Sequence, residues 1–255
     1  MSAAAPAATD PVQLTEEQSR QYKQDGYCLI RGLIPREEMA PVREALIDIE
    51  EGNHDWPDEY FQWLDPSAVR NEKGTRIPAG VQGPAQRSET FRNIADHPRL
   101  ISAMSQILGG PVARFTDQCG IKSRHITTEQ GGQTFYHQDS YYWRINPQLG
   151  CNCWIPTDDV GKDSIALAIM PGSQAGWKLD EHEDYYDDPK PFGGRSSTPF
   201  KRHRIPLDRV DYSKEILIPM HPGDGLFFTN YTWHRSEKNK TGRTLCFYAI
   251  AYKRT

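Results

Sequence analysis

Thr134-Phe135-Tyr136-His137-Gln138-Asp139 and Gly225-Leu226-Phe227-Phe228-Thr229-Asn230-Tyr231-Thr232-Trp233-His234 are the two stretches that decide how this chain folds. Each is rich in aromatic and β-branched residues and reads as a strand ending in a histidine or a histidine-carboxylate pair. On a strand, residues two apart leave the same face, so His137 and Asp139 project together. Packed face to face, the two strands could present His137, Asp139 and His234 to one ion. Two imidazoles and one carboxylate cover one triangular face of an octahedral metal and leave the other open, the ligand set of non-haem Fe(II) oxygenases. A structural zinc site closes its tetrahedron with thiolates instead. Spacing alone leaves a second reading open, in which His-x-Asp is an ordinary structural or surface pair.

Around these stretches the chain changes its period. Short apolar runs separated by turns recur at 112–125, 133–138, 150–158, 165–170, 215–219, 225–230 and 244–252. Upstream, Thr15-Glu16-Glu17-Gln18 has the form of a capping box opening a helix to about residue 23, and Asp25-Gly26 stops it. Residues 27–34 form a short β-rich run. Pro35 then suits the first turn of a helix to about residue 50, with Met39, Val42, Leu46 and Ile49 near helical spacing. Residues 98–108 repeat that spacing and end at Gly109-Gly110, while 51–96 show no clean period and are expected to be mostly loop. Helices followed by many short strands predict a mainly β domain with flanking helices, a sandwich or barrel. The Ala/Pro-rich residues 1–12 are expected to be a disordered tail, and 13–255 one domain. Residues 174–214 break the strand rhythm, as lids and binding loops do.

Composition narrows the partners. The 255-residue chain carries a formal net charge of −4, which gives no reason to propose nucleic acid or an anionic membrane. No apolar stretch approaches the roughly 18 residues of a membrane span. The five cysteines, Cys28, Cys119, Cys151, Cys153 and Cys246, contain no CxxC pair, and most lie in apolar runs. Reduced thiols in a cytoplasmic protein, monomeric or homodimeric, are the expectation.

Further landmarks fall into an order. Gly26-Tyr27, Arg31-Gly32, His137-Gln138-Asp139, Pro171-Gly172-Ser173, Pro222-Gly223-Asp224-Gly225 and His234-x-Ser236-x-x-Asn239 together resemble the phytanoyl-CoA dioxygenase family. The resemblance spans essentially the whole chain. It implies a double-stranded β-helix (jelly roll, cupin-like) and an Fe(II)/2-oxoglutarate-dependent dioxygenase, with His137, Asp139 and His234 as iron ligands. Such an enzyme consumes O2 and releases succinate and CO2 while oxidising a C–H bond. Hydroxylation is the leading outcome; epimerisation, desaturation and cyclisation are the others. The substrate is expected to be a mid-sized organic molecule, such as a natural-product intermediate of secondary metabolism. A non-catalytic jelly-roll binding module and a metal-dependent cupin-like isomerase remain as competing classes.

The resemblance also assigns the cosubstrate site. A distal carboxylate needs a cation, and arginine offers a matching fork. In the family this arginine usually stands eleven residues past the second histidine; here Arg243 stands nine past it, and a turn shortened by two preserves strand parity. Ser236 shares a face with His234 and resembles the family's hydroxyl contact. Gln118 and Lys122 resemble the positions that offer an amide or an amine, and Trp154 is expected to pack beside 2-oxoglutarate or in the core. Tyr141, Tyr142, Trp143 and Arg144 directly follow Asp139 and are expected to line the substrate mouth. A carboxylate at position 139 argues against halogenation, which needs a small residue there to admit halide.

Overall fold

The computed structural model describes residues 10–63, 70–126, 134–185 and 202–255. Most of the expected tail, and residues 186–201 of the expected insert, lie outside the described residues.

Two sheets face each other. The larger has seven strands, all antiparallel, in the order β1 (Tyr27–Ile30), β10 (Gly225–Thr229), β5 (Gly150–Pro156), β12 (Leu245–Arg254), β4 (Val112–Lys122), β3 (Gly80–Gln82) and β2 (Phe61–Gln62). The smaller sheet runs β11 (His234–Ser236), β6 (Leu167–Ile169), β9 (Ile216–Leu217). A short antiparallel pair, β7 (Glu183–Tyr185) with β8 (Arg202–Arg204), forms a separate two-stranded sheet, with Tyr185 against Phe135 at 4.9 Å. This two-sheet sandwich with flanking helices is the double-stranded β-helix class expected from the sequence.

Alternation along the central strands separates two cores. Cys28, Cys153, Phe227, Cys246, Tyr248 and Ile250 face outward, where they meet α2 (Arg36–Glu51), α4 (Glu89–Ala95) and α5 (Pro98–Leu108) through Met39, Leu46, Phe91, Leu100 and Met104. Trp154, Leu226, Phe228, Leu245 and Ala249 face inward and pack on Ile165, Leu167, Ile169 and Ile218 around the small sheet. β5 is buried along its whole length, because both of its faces are covered. All five cysteines are free and buried. No described helix is long and apolar enough to cross a membrane.

Several landmarks prove to be backbone devices. The Thr15 capping box forms as read and opens α1 (Glu16–Asp25), which ends at Gly26 with φ +80°. Gly223 has φ +84°, and a Cβ there would stand 2.1 Å from the Ile34 carbonyl oxygen, so only glycine fits. Asp224 beside it is buried; it accepts from the Gly32 N–H at 2.8 Å, the His221 N–H at 2.9 Å and Arg31 Nη1 at 2.6 Å.

The segment 51–96 departs from the expected loop. It holds β2, β3, α3 (Pro84–Arg87) and α4, with Phe91, Ile94 and Ala95 buried. These elements are too short to establish a period, and tertiary packing forms them. The run at 133–138 is likewise less than a strand: among its described residues only His137 forms a bridge, to His234.

Candidate metal centre

The two histidines sit directly opposite each other. His137 N–H donates to the His234 carbonyl and His234 N–H to the His137 carbonyl, each at 3.2 Å. Residues 134–137 thereby extend the small sheet past β11. Gln138 stays extended (φ −113°, ψ 131°), and Asp139 then opens a 3-10 turn, Asp139–Tyr141. Asp139 is therefore not on a strand, as the parity argument took it to be. One extended residue between it and His137 still returns its side chain to the same side. The turn is pinned by Asn230, whose carbonyl accepts from Ser140 N–H at 2.8 Å and whose Nδ2 donates to Ser140 Oγ at 2.6 Å.

One ligating atom from each of His137, Asp139 and His234 lies within 4.8 Å of the others. Asp139 Oδ1 is 3.8 Å from His137 Nε2 and 3.6 Å from His234 Nε2. These two separations exceed by under an ångström the roughly 3 Å between neighbouring ligand atoms that one small ion would require.

The donor chemistry also fits an ion. His137 Nδ1 lies 2.9 Å from the Phe135 carbonyl and His234 Nδ1 lies 3.0 Å from the Thr232 carbonyl. Each carbonyl can only accept, so the proton resides on Nδ1 and Nε2 presents its lone pair. Asp139 Oδ2 accepts from Asn152 Nδ2 at 3.1 Å, which leaves Oδ1 turned to the imidazoles. Burial pushes the Asp139 carboxyl above its ordinary range, opposed by His234 and by the Asn152 bond. Phe228 stacks on His234 with ring centroids 4.5 Å apart. The side chains of Asp139 and His234 are 9 % and 7 % exposed against 17 % for His137, so the centre opens past His137.

The residues expected to hold 2-oxoglutarate separate into two groups. In register, Gln118 faces Ala249, Ala249 faces Trp154, and Lys122 faces Leu245, which puts Gln118, Lys122 and Trp154 on the inner face. That is the face from which Asn152 reaches Asp139. Gln118 Oε1 accepts from Gln82 Nε2 at 2.9 Å, and Trp154 packs on Phe247 with centroids 5.1 Å apart. Ser236 Oγ accepts from Thr134 N–H at 3.2 Å and Thr134 Oγ1 at 3.0 Å, keeping its own hydrogen to donate.

Arg243 belongs to the second group. It lies in the turn before β12 with an exposed side chain, and its guanidinium has no ion pair or hydrogen bond among the described residues. Its backbone is held instead: its carbonyl accepts from Asn239 Nδ2 at 2.6 Å. Arg235 points outward as parity requires, in ion pairs of 2.7 Å with Glu215 and with Glu237.

The aromatic run after Asp139 splits as well. The Tyr142 ring stands 6.1 Å from that of His137, and Tyr141 lies between His182 and His203 at 4.3 and 4.6 Å. Trp143 turns to Phe115 instead, at 6.0 Å, and Arg144 is exposed. Sequence reading missed Asn152, Thr134, His182 and Gln138. Asn152 shares a face of β5 with Trp154, but nothing in its own spacing marks it, and the other three act through contacts with distant segments.

A jelly roll carrying two histidines and a carboxylate with an open side has the donor set that non-haem iron oxygenases use. The chain belongs to the phytanoyl-CoA dioxygenase family, whose model matches residues 22–244. It is an Fe(II)/2-oxoglutarate-dependent oxygenase by that membership. A probable phytanoyl-CoA dioxygenase of Caenorhabditis elegans is 26% identical over 242 residues, 89% of this chain and 72% of that protein. L-proline trans-4-hydroxylase of Streptomyces griseoviridis is 23% identical over 204 residues, covering 72% and 70%. The fold matches that of the epimerase SnoN, solved with Fe3+, α-ketoglutarate and nogalamycin RO, at a TM-score of 0.66 and 18% identity, over 94% of this chain and 83% of that one.

Proposed function

We propose that His137, Asp139 and His234 hold the iron, and that the enzyme hydroxylates a C–H bond of a mid-sized organic molecule, with release of succinate and CO2. The convergence of the three donors within 4.8 Å, with both Nδ1 atoms committed to carbonyls, carries this reading. Bound iron supplies the oxidising chemistry, drawing on O2 and 2-oxoglutarate. The chain's own residues position and exclude water. Asn152 holds Asp139 with one oxygen free, and Phe228 shields His234. Ser236 offers its proton to a cosubstrate carboxylate, with Lys122 or Arg243 as the counter-charge and Gln118 and Trp154 walling the inner face. Tyr141 and Tyr142 stand at the mouth beside His137; Trp143 and Arg144 lie further out. The described arms of the 174–214 insert belong to that mouth. The protein acts in the cytoplasm as a soluble enzyme of secondary metabolism.

The test is anaerobic. Iron-loaded protein with 2-oxoglutarate develops a visible charge-transfer band, and its absence removes the reading. Arg243→Ala and Lys122→Ala, titrated with 2-oxoglutarate by that band, identify the counter-charge: the right one weakens binding at least tenfold. A panel of small molecules screened for stimulated succinate release, with products analysed by mass, finds the substrate and separates hydroxylation from desaturation or cyclisation. A product of unchanged mass marks epimerisation.

A further inference from the structure

We infer that Gln138 is a positioning residue: it fixes residues 178–182 to the back of the metal-bearing segment, making the base of the insert a preformed wall of the substrate mouth. The inference rests on reading His137, Asp139 and His234 as the metal ligands.

Alternation sends the Gln138 side chain to the side opposite His137 and Asp139, away from the metal. There it is fully buried, and every polar atom of its amide is used. Nε2 donates to the Lys178 carbonyl and to the Tyr231 carbonyl, both at 2.9 Å, while Oε1 accepts from Asp180 N–H at 2.7 Å. Its backbone N–H donates to His182 Nε2 at 3.1 Å. A buried amide with all its partners in place specifies one arrangement, because any slip strands a polar group away from water. One side chain thus joins the His137–Asp139 segment, the segment leading to His234, and residues 178–182.

An independent bond makes the same connection. Trp233, beside His234, donates from Nε1 to Asp180 Oδ2 at 2.9 Å. Both ligand-bearing segments therefore grip the same short stretch. From there His182 stacks on Tyr141 and Tyr141 on His203, whose N–H donates to the Tyr142 hydroxyl at 3.1 Å. The position of 178–182 thereby sets where Tyr141 and Tyr142 stand relative to His137, without touching a ligand.

The test compares Gln138→Met, which keeps length and loses the amide, with Asp180→Ala, which lies outside the ligand segments. Amide exchange is followed on metal-free protein and on the anaerobic Fe(II)/2-oxoglutarate complex. In both variants the peptide covering 178–182 exchanges at least tenfold faster while 150–156 and 245–254 do not change, and 2-oxoglutarate affinity stays within threefold. A functional signature accompanies this. Aerobic incubation with Fe(II) and 2-oxoglutarate alone lets an aromatic C–H of the mouth be oxidised: C–H, O2 and 2-oxoglutarate give C–OH, succinate and CO2. The yield of the peptide bearing Tyr141 and Tyr142 with one added oxygen rises at least threefold in Gln138→Met. Unchanged exchange at 178–182 overturns the inference, as does exchange accelerated equally in the central strands. Loss of the charge-transfer band and of succinate in the unmodified protein sinks the metal reading instead, and the metal-free exchange data still decide the tether.

Discussion

Asn152 Nδ2 donates to Asp139 Oδ2 at 3.1 Å, from the centre of a strand buried on both faces. The bond commits Oδ2 and leaves Oδ1 facing the imidazoles of His137 and His234. It also anchors Asp139, which sits on a short 3-10 turn, to a buried strand paired on both edges.

Asn152→Ala is therefore expected to weaken iron binding about 10–100-fold, the range for loss of an outer-shell partner of a metal ligand. Iron titration under anaerobic conditions measures it. The thermal unfolding temperature of the metal-free variant should fall as well, because the buried Asp139 Oδ2 loses its donor.

Asp139 is expected to stabilise the loaded protein and to burden the empty one. Burial raises its folded pKa, so its contribution to stability is present below the unfolded value and is lost as pH rises through the folded value. At neutral pH the metal-free protein carries a desolvated carboxylate. Asp139→Asn should thus unfold at a higher temperature than the unmodified protein without metal. With saturating iron the order should reverse, and activity should fall by more than ~100-fold. Calorimetry with and without Fe(II), beside succinate release, checks both signs.

His182 supplies a pH dependence. Burial lowers its pKa, opposed by Asp180 and reinforced by His203, and its Nε2 accepts from Gln138 N–H. A histidine with a lowered folded pKa contributes stability that is present above its unfolded value near 6.5 and lost as pH falls through the folded value. Protonation would also set a second donor against the Gln138 N–H. Local protection at 178–182 should therefore decline as pH falls below the unfolded value near 6.5, and His182→Leu should flatten that decline. Amide exchange from pH 7 to 5 provides the measurement.

Gly223→Ala should destabilise the fold by about 2–3 kcal/mol, because a left-handed backbone and a clash with a backbone oxygen cannot both relax. A shifted urea midpoint reads it, with iron affinity of the folded fraction unchanged. Gly172 has φ +75° but nothing within 4 Å of a Cβ, so Gly172→Ala should cost only the strain.

Much of this was legible in the chain. The capping box, the span of α5 (Pro98–Leu108) and the alternating strands follow from local periods, which a sequence displays directly, whereas His137, Asp139 and His234 were picked out as candidate ligands by the family resemblance added to their spacing. The strand rhythm made a sandwich or barrel legible, and the jelly roll followed from the family resemblance, whose landmark turns the structure explains: Gly223 leaves no room for a side chain, and Asp224 gathers three donors. The elements within 51–96 were not legible, since they are too short to show a period and exist only against the β4 and α2 surfaces.

The contacts around the three donor residues were decided by tertiary structure alone. No spacing relates Asn152 to Asp139, Thr134 to Ser236, or Gln138 to Lys178, Asp180 and Tyr231. Arg243 shows the dependence on context: parity allows it to face inward, and in the structure it stands exposed in the turn before β12, where strand alternation does not set direction. Sequence specified which atoms could ligate an ion, because that is a property of residue type and local period. Which oxygen of Asp139 is free, which imidazole nitrogens carry their protons, and what holds the mouth in place depend on hydrogen bonds between distant segments, and those exist only once the chain has closed on itself.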